Sequence, residues 1–260
     1  MKKLLDHGYL DIVESYGSDE RVIEAARMST DKGFEGWGPK CPCSGDRIKP
    51  VLVDLDGVTC ERCGAKLHPG DEKLLEYLYK NAHDTPFEMA GMIIEVKAPI
   101  FVFREWHRHR TQSYNEMSSR YSPLPDENYL PSIERLMINS KTNKQAGTIA
   151  GAEELTEGNA LVFRERLKAS YANAEQLYQR ALKNGVPKEL ARVHLPVGRY
   201  SKMRAAANLR NWLAFMTLRS APSAQWEIRQ FSIAVGEIIR EKFPRTYELF
   251  CKYPMKRVSQ

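Results

Sequence analysis

The sequence offers little for oxidative cross-linking and nothing for crossing a membrane. Cysteine occurs five times in 260 residues, and four of the five (Cys41, Cys43, Cys60 and Cys63) crowd into one short segment while Cys251 stands alone. A disulfide framework is not built that way, and in a reducing compartment such clustering favours a metal site. No apolar run approaches the length of a membrane span, and "MKKLLDHGYL" is broken by Asp6 and His7 too early for a secretory signal. The expectation is a cytoplasmic chain without membrane contact. Internal repeats and low-complexity runs are absent too. Acidic residues number 33 against 39 Lys and Arg, a net charge of +6, which suits anionic ligands: nucleotides, phosphates, folates or nucleic acid. An apolar fraction of 42% and a charged fraction of 28% are ordinary for a globular chain, long enough for one large domain or two small ones.

What is present is mostly helical. "SDERVIEAARMST" (18–30) opens on the N-cap candidate Ser18, with acids in the first turn and Val22, Ile23 and Ala26 on one face. "DEKLLEYLYKNA" (71–82) places Leu74, Leu75 and Leu78 inward, and "EMAGMIIEVKA" reads as a strand. Pro99 can start a helix carrying Ile100, Phe103 and Trp106. Residues 123–152 read as loop, 153–184 as a long helix stopped at Asn184-Gly185, and Pro187 opens the short helix "PKELARVH". By propensity 199–219 is helical throughout, with room for a strand at its start. "SAQWEIRQFSIAVGEIIREKF" is an amphipathic helix, separated by Pro244 from a last short one. The class is helix-rich α+β.

One stretch is neither core nor ordinary surface. "EWHRHRTQSYNEMSSRY" (105–121) sets Arg108, Arg110, Arg120, His107 and His109 against only Glu105 and Glu116, with Ser, Asn and Tyr interleaved. In extended backbone Arg108 and Arg110 would share a face and form a clamp for phosphate or a polar ring edge. Ser118, Ser119 and Arg120 could hold a second phosphate. The alternative is a solvated basic loop, against which the interleaved polar residues argue.

These residues carry a resemblance. Arg108-His109-Arg110 followed at Ser118 resembles the signature of the flavin-dependent thymidylate synthases, the ThyX family. "AARMS" (25–29), "HDTPFEM" (83–89), "KAPIFVFREW" (97–106), "ELARVHLP" (189–196), "NLRNWLAFMTLRS" (208–220) and "SAQWEIR" (223–229) resemble that family's other blocks, in its order. The resemblance covers nearly the whole chain except about 34–70. It implies one ThyX-like domain over 1–260 with an antiparallel sheet. It also implies conversion of dUMP to dTMP, with carbon from methylenetetrahydrofolate and hydride from FAD reduced by NADPH. The implied assembly is a homotetramer with active sites at subunit interfaces. No cysteine nucleophile is implied, and Cys251 reads as a small core residue.

By the same resemblance Arg219 is the fixed cation at the uracil N3/O4 edge; a C-capping arginine is the plainer alternative. Ser29, Thr85, Arg108, His109, Arg110, Glu116, Asn208 and Arg210 match positions for FAD. Glu105, Arg108, Ser118, Ser119, Arg120, Arg192 and Arg219 match positions for dUMP, and His83 lies where a histidine nears flavin and folate. His83 could equally be a helix-terminal histidine, and Gln225, Trp226 and Glu227 read as packing and subunit contact. There are departures. Glu105 stands where Gln is frequent and needs a cationic partner, for which Arg104 or Arg108 are the neighbours. Ala214 replaces a polar residue near FAD, and Met89 and Ser223 stand where histidine is frequent.

Residues 34–70 are an insert. "CERCG" (Cys60, Cys63) fits a zinc knuckle, with Gly64 allowing the tight backbone; "CPC" (Cys41, Cys43) is one residue short of the usual spacing. A small structural zinc ribbon on these four cysteines is the expectation, over a redox pair or idle thiols, because the segment has too few apolar residues to fold unaided. His68 is a poor fifth candidate. Two readings compete with the enzyme: a nucleic-acid-binding protein using the ribbon and the arginines, and a degenerate relative that binds FAD or dUMP without turnover.

Overall fold

The computed structural model of the chain describes residues 1–38, 59, 62–64, 70–140 and 143–253. In chain order come β1 (Lys2–Leu4), β2 (Gly8–Tyr16), α1 (Asp19–Arg27), α2 (Asp71–Lys80) and α3 (Thr85–Glu88). Next are β3 (Gly91–Pro99), α4 (Ile100–Trp106), β4 (Ser113–Glu116), α5 (Ile133–Met137) and α6 (Glu157–Lys183). Last are α7 (Lys188–Ala191), β5 (Tyr200–Asn208), α8 (Leu209–Arg219), α9 (Trp226–Lys242) and α10 (Pro244–Lys252). The five strands form one sheet in the order β1-β2-β3-β5-β4, antiparallel at both edge pairs. The α+β class is as expected. The chain divides into two units: residues 1–13, 94–206 and 218–234 in the first, and the described residues of 14–93, 207–217 and 235–260 in the second.

In the first unit, the apolar positions of β3 (Ile94, Val96, Ala98) and of α4 (Val102, Phe103, Trp106) are buried with Phe231 of α9. Trp106 meets Phe231 edge-on, 6.1 Å between ring centres. Arg199 is wholly buried, its Nη1 2.7 Å from Glu175 Oε2 and 3.0 Å from Asp126 Oδ1, its Nη2 donating to Leu124 O. The long α6 begins at Thr156, whose Oγ1 accepts from Asn159 N, and stops at Gly185, which takes the left-handed conformation (φ 82°). Only Ala160 and Tyr178 of this helix are buried.

In the second unit, Val22, Ile23, Leu75, Leu78, Phe87, Met92, Trp212 and Phe215 form the core, and Trp212 Nε1 donates to Met92 O. Asp19, buried, accepts from Arg245 N, Thr246 N and Thr246 Oγ1, fixing the first turn of α10. Gly91 lies where a Cβ would fall 2.5 Å from both Ala207 O and the Tyr16 hydroxyl. Gly91→Ala is therefore expected to destabilise the protein by about 1–3 kcal/mol, read as a lowered melting temperature.

Three stretches depart from expectation. Residues 200–208 are strand, not helix. Lys202 and Arg204 are exposed while Ser201, Met203, Ala205 and Ala207 are buried, a period of two that outweighs the helix propensity of alanine. The 123–152 loop holds α5, capped by Ser132 Oγ, and a 3-10 turn at Lys144–Ala146. Cys251 is exposed rather than a core residue. Cys41, Cys43, Cys60 and His68 of the insert lie outside the described residues.

Candidate functional site

The 105–121 segment is not the extended ribbon its alternation suggested. Helix α4 ends at Trp106, and the chain turns through His107–Gln112 before entering β4. Core contacts hold that turn: Trp106 Nε1 donates to Gln112 Oε1 at 3.0 Å, and the Tyr114 hydroxyl donates to Trp106 O and His109 O at 3.0 and 2.7 Å. The sides still alternate. Arg108 and Arg110 are exposed, and His109, only 5% exposed, points inward.

There His109 meets Arg219, the last residue of α8. Arg219 Nε donates to His109 Nε2 at 2.8 Å, Nη1 to Glu105 Oε2 at 2.9 Å and Nη2 to the backbone oxygen of Glu105 at 2.7 Å. Three of the five N–H groups of a guanidinium are thereby engaged, and one on each Nη is left for a ligand. The partner of Glu105 is Arg219, not Arg104 or Arg108. Burial raises the Glu105 carboxyl and Arg219 opposes the rise; burial lowers the Arg219 guanidinium and Glu105 opposes that. Starting so far above neutrality, Arg219 stays charged.

His109 must accept from Arg219, so its Nε2 carries no proton. Burial, and then the charge of Arg219, push its pKa down to about 4 from 6.5. The unfolded chain therefore binds this proton first as pH falls, so folding stability is full above 6.5 and declines between 6.5 and about 4. Urea unfolding across that range is expected to show the decline, and His109→Gln, which keeps an acceptor but does not titrate, to flatten it.

A second cluster forms in the same unit. The 118–122 turn closes by Tyr121 N and Ser122 N donating to Ser118 O. Ser119, buried, accepts at Oγ from Arg192 Nη1 (2.8 Å), and Arg120 Nε donates to Glu189 Oε2 (3.2 Å). Lys188 Nζ reaches Tyr121 O at 2.8 Å. Ser118, Ser119, Arg120 and Arg192, the positions expected to meet dUMP, are thus brought together. Lys188 is a residue the sequence motifs do not single out; its i, i+4 spacing to Arg192 is the available signal. Glu116, half-buried, ends β4 opposite Met203.

The second unit carries the other positions. Ser29 is exposed, its Oγ donating to Ala26 O. His83 and Thr85 are exposed and flank Asp84, which accepts from Arg210 Nε at 3.2 Å. That ion pair joins the "HDTPFEM" and "NLRNW" blocks. His83 sets its ring edge-on against Tyr77. Asn208 Oδ1 accepts from Asn211 N and so caps α8. Glu227 is buried, accepting from Tyr129, Arg135 and Gln225, in keeping with packing. Of the four clustered cysteines only Cys63 is described; it is exposed, and Gly64 after it has φ 65°.

The family described as "Thymidylate synthase complementing protein" matches residues 11–245. The flavin-dependent thymidylate synthase of Thermosipho africanus is 34% identical over 254 residues, 98% of this chain and 95% of that protein. One from Thermus thermophilus is 36% identical over 247 residues, covering 95% and 77%. Among solved structures, the UMP/dUMP methylase PolB from Streptomyces cacaoi, bound with 5-Br UMP, superposes with a TM-score of 0.72. It shares 28% identity over 97% of this chain and 98% of that one.

Proposed function

We propose, from the premise that this chain belongs to the family of flavin-dependent thymidylate synthases, that it methylates dUMP to dTMP. The carbon comes from methylenetetrahydrofolate and the hydride from FAD reduced by NADPH. The observation that carries the reading is the arrested guanidinium of Arg219, with one N–H left on each Nη.

The uracil ring must be activated without a thiolate, and Arg219 is suited to that. Its remaining N–H groups would donate to O4 at the N3/O4 edge and stabilise negative charge there as hydride reaches C6. His109 and the Glu105 backbone oxygen fix the guanidinium beforehand, so little reorganisation is left for the reaction. Ser118, Ser119, Arg120 and Arg192, with Lys188 beside them, would take the nucleotide phosphate; Arg120 would exchange Glu189 for it. Arg108, Arg110, Glu116, Ser29, Thr85, Asn208 and Arg210 would hold FAD, with Arg108 shared with dUMP, Glu105 on the dUMP side and His83 near flavin and folate. FAD, once bound, supplies the hydride; the protein binds, aligns and polarises.

The assembly in this reading is a homotetramer with active sites where subunits meet. In its support, Leu161, Val162, Phe163 and Leu177 of α6 are each about half exposed, apolar surface that a monomer would leave wet. The four cysteines would hold a structural zinc, expected at one per chain by metal analysis and lost in Cys63→Ser. Likeness to a UMP/dUMP methylase makes UMP the second substrate to assay.

The test is anaerobic. Protein reduced with NADPH is given dUMP and methylenetetrahydrofolate, and dTMP is the expected product. A colourless protein that binds neither flavin nor dUMP would sink the reading in favour of nucleic acid.

A further inference from the structure

Arg219 has an anion on it already. The Glu105 carboxylate sits 2.9 Å from its Nη1, yet the orientation of the guanidinium does not depend on that charge. The backbone oxygen of the same residue holds Nη2, and His109 holds Nε. What the carboxylate adds is a negative charge half-buried in the site, and that charge is poorly accommodated. Burial disfavours it, and Glu227 of α9 repels it. Arg219 alone opposes these effects. The other charged and titratable groups about the pair are Arg104 on α4, His107, Arg108 and His109 in the turn, and Tyr114 on β4.

A pyrimidine nucleotide brings carbonyl oxygens to Arg219 and a phosphate to the 118–120 turn of the same unit. Both are repelled by a carboxylate at this place. We propose that Glu105 is a counter-anion that competes with the pyrimidine nucleotide for the charge of Arg219, which makes residue 105 an affinity-determining position. This rests on the reading of Arg219 given above. Glu105 is a positioning residue that weakens binding of the nucleotide, and the enzyme binds dUMP less tightly than the rest of its site would allow.

Glu105→Gln separates charge from geometry, because the amide oxygen can still accept from Nη1. The variant is expected to bind dUMP about tenfold more tightly than the wild type near pH 8, the scale of one charge-assisted contact. Its affinity for FAD should not change. As pH falls the wild-type carboxyl, held above the usual carboxylate range by burial, takes up its proton earlier than an exposed glutamate, so the gap between the two proteins should narrow. The phosphate of dUMP titrates equally for both proteins and cancels in the comparison. Calorimetric titration of each flavin-loaded protein with dUMP, from about pH 8 down to about pH 5, reads both effects.

Equal or weaker binding by Glu105→Gln near pH 8, in a preparation whose wild type makes dTMP, would overturn the proposal and leave the synthase reading standing. If flavin binds but dUMP binds neither protein at any pH, the synthase reading fails first and takes this inference with it. Should the glutamine variant not fold, Glu105→Ala removes the same charge and carries the same expectation.

Discussion

Arg219→Ala should lower the rate of dTMP formation by about a thousandfold or more while FAD remains bound. Loss of one preorganised donor at a developing oxyanion costs about 10²–10³ in rate, and this variant loses two donors and a full charge together. Arg219→Lys should recover little. An ammonium is a point charge on a flexible stem and cannot meet His109 Nε2, the Glu105 backbone oxygen and a ring edge at once. The measurement is a single turnover from pre-reduced enzyme, which removes NADPH from the rate. A variant within threefold of wild type would mean that the ring is activated elsewhere, and that Arg219 is only the C-capping cation its helix end allows.

Much of the fold, and each block of the site, is legible in the sequence, but the bonds between blocks are not. The helices at 71–80, 157–183 and 226–242 follow from apolar period and stop signals, since those act within a few residues. The strand at 200–208 is harder, because local alanine propensity and the alternation of Lys202 and Arg204 point opposite ways, and burial on the sheet decides. The amino-terminal strand "GYLDIVESY" is too weakly patterned to be read in advance. At the site, resemblance assigns His109 to flavin and Arg219 to uracil. Nothing in a linear reading joins residues 110 positions apart, and the structure bonds them to each other. Glu105 shows the same limit. Its neighbours in sequence offer two arginines as partners, and the third, far along the chain, is the one that pairs.

Arginine identity is where the sequence is least informative, and Arg199 makes the point testable. It lies between the "ELARVHLP" block and β5, in a basic protein, and no motif marks its role. It is fully buried, with both terminal nitrogens committed to Glu175, Asp126 and Leu124 O. Arg199→Ala should cost about 3–5 kcal/mol, because it leaves the poorly exposed Glu175 without its counter-charge. Asp126 is more than half exposed and can turn to water. Pairing Arg199→Met with Glu175→Gln should therefore restore a good part of the loss, since the stranded charge is gone and most of the volume is kept. Denaturant unfolding of the wild type, the single variants and the pair measures this directly. A double variant no more stable than Arg199→Ala would mean that packing around the guanidinium, not the charge left behind, carries the cost. Turnover per folded molecule separates this arginine from Arg219. Arg199 variants should lose stability and keep their rate, and Arg219 variants should do the reverse, because one cation is spent wholly inside the protein and the other keeps N–H groups for a ligand.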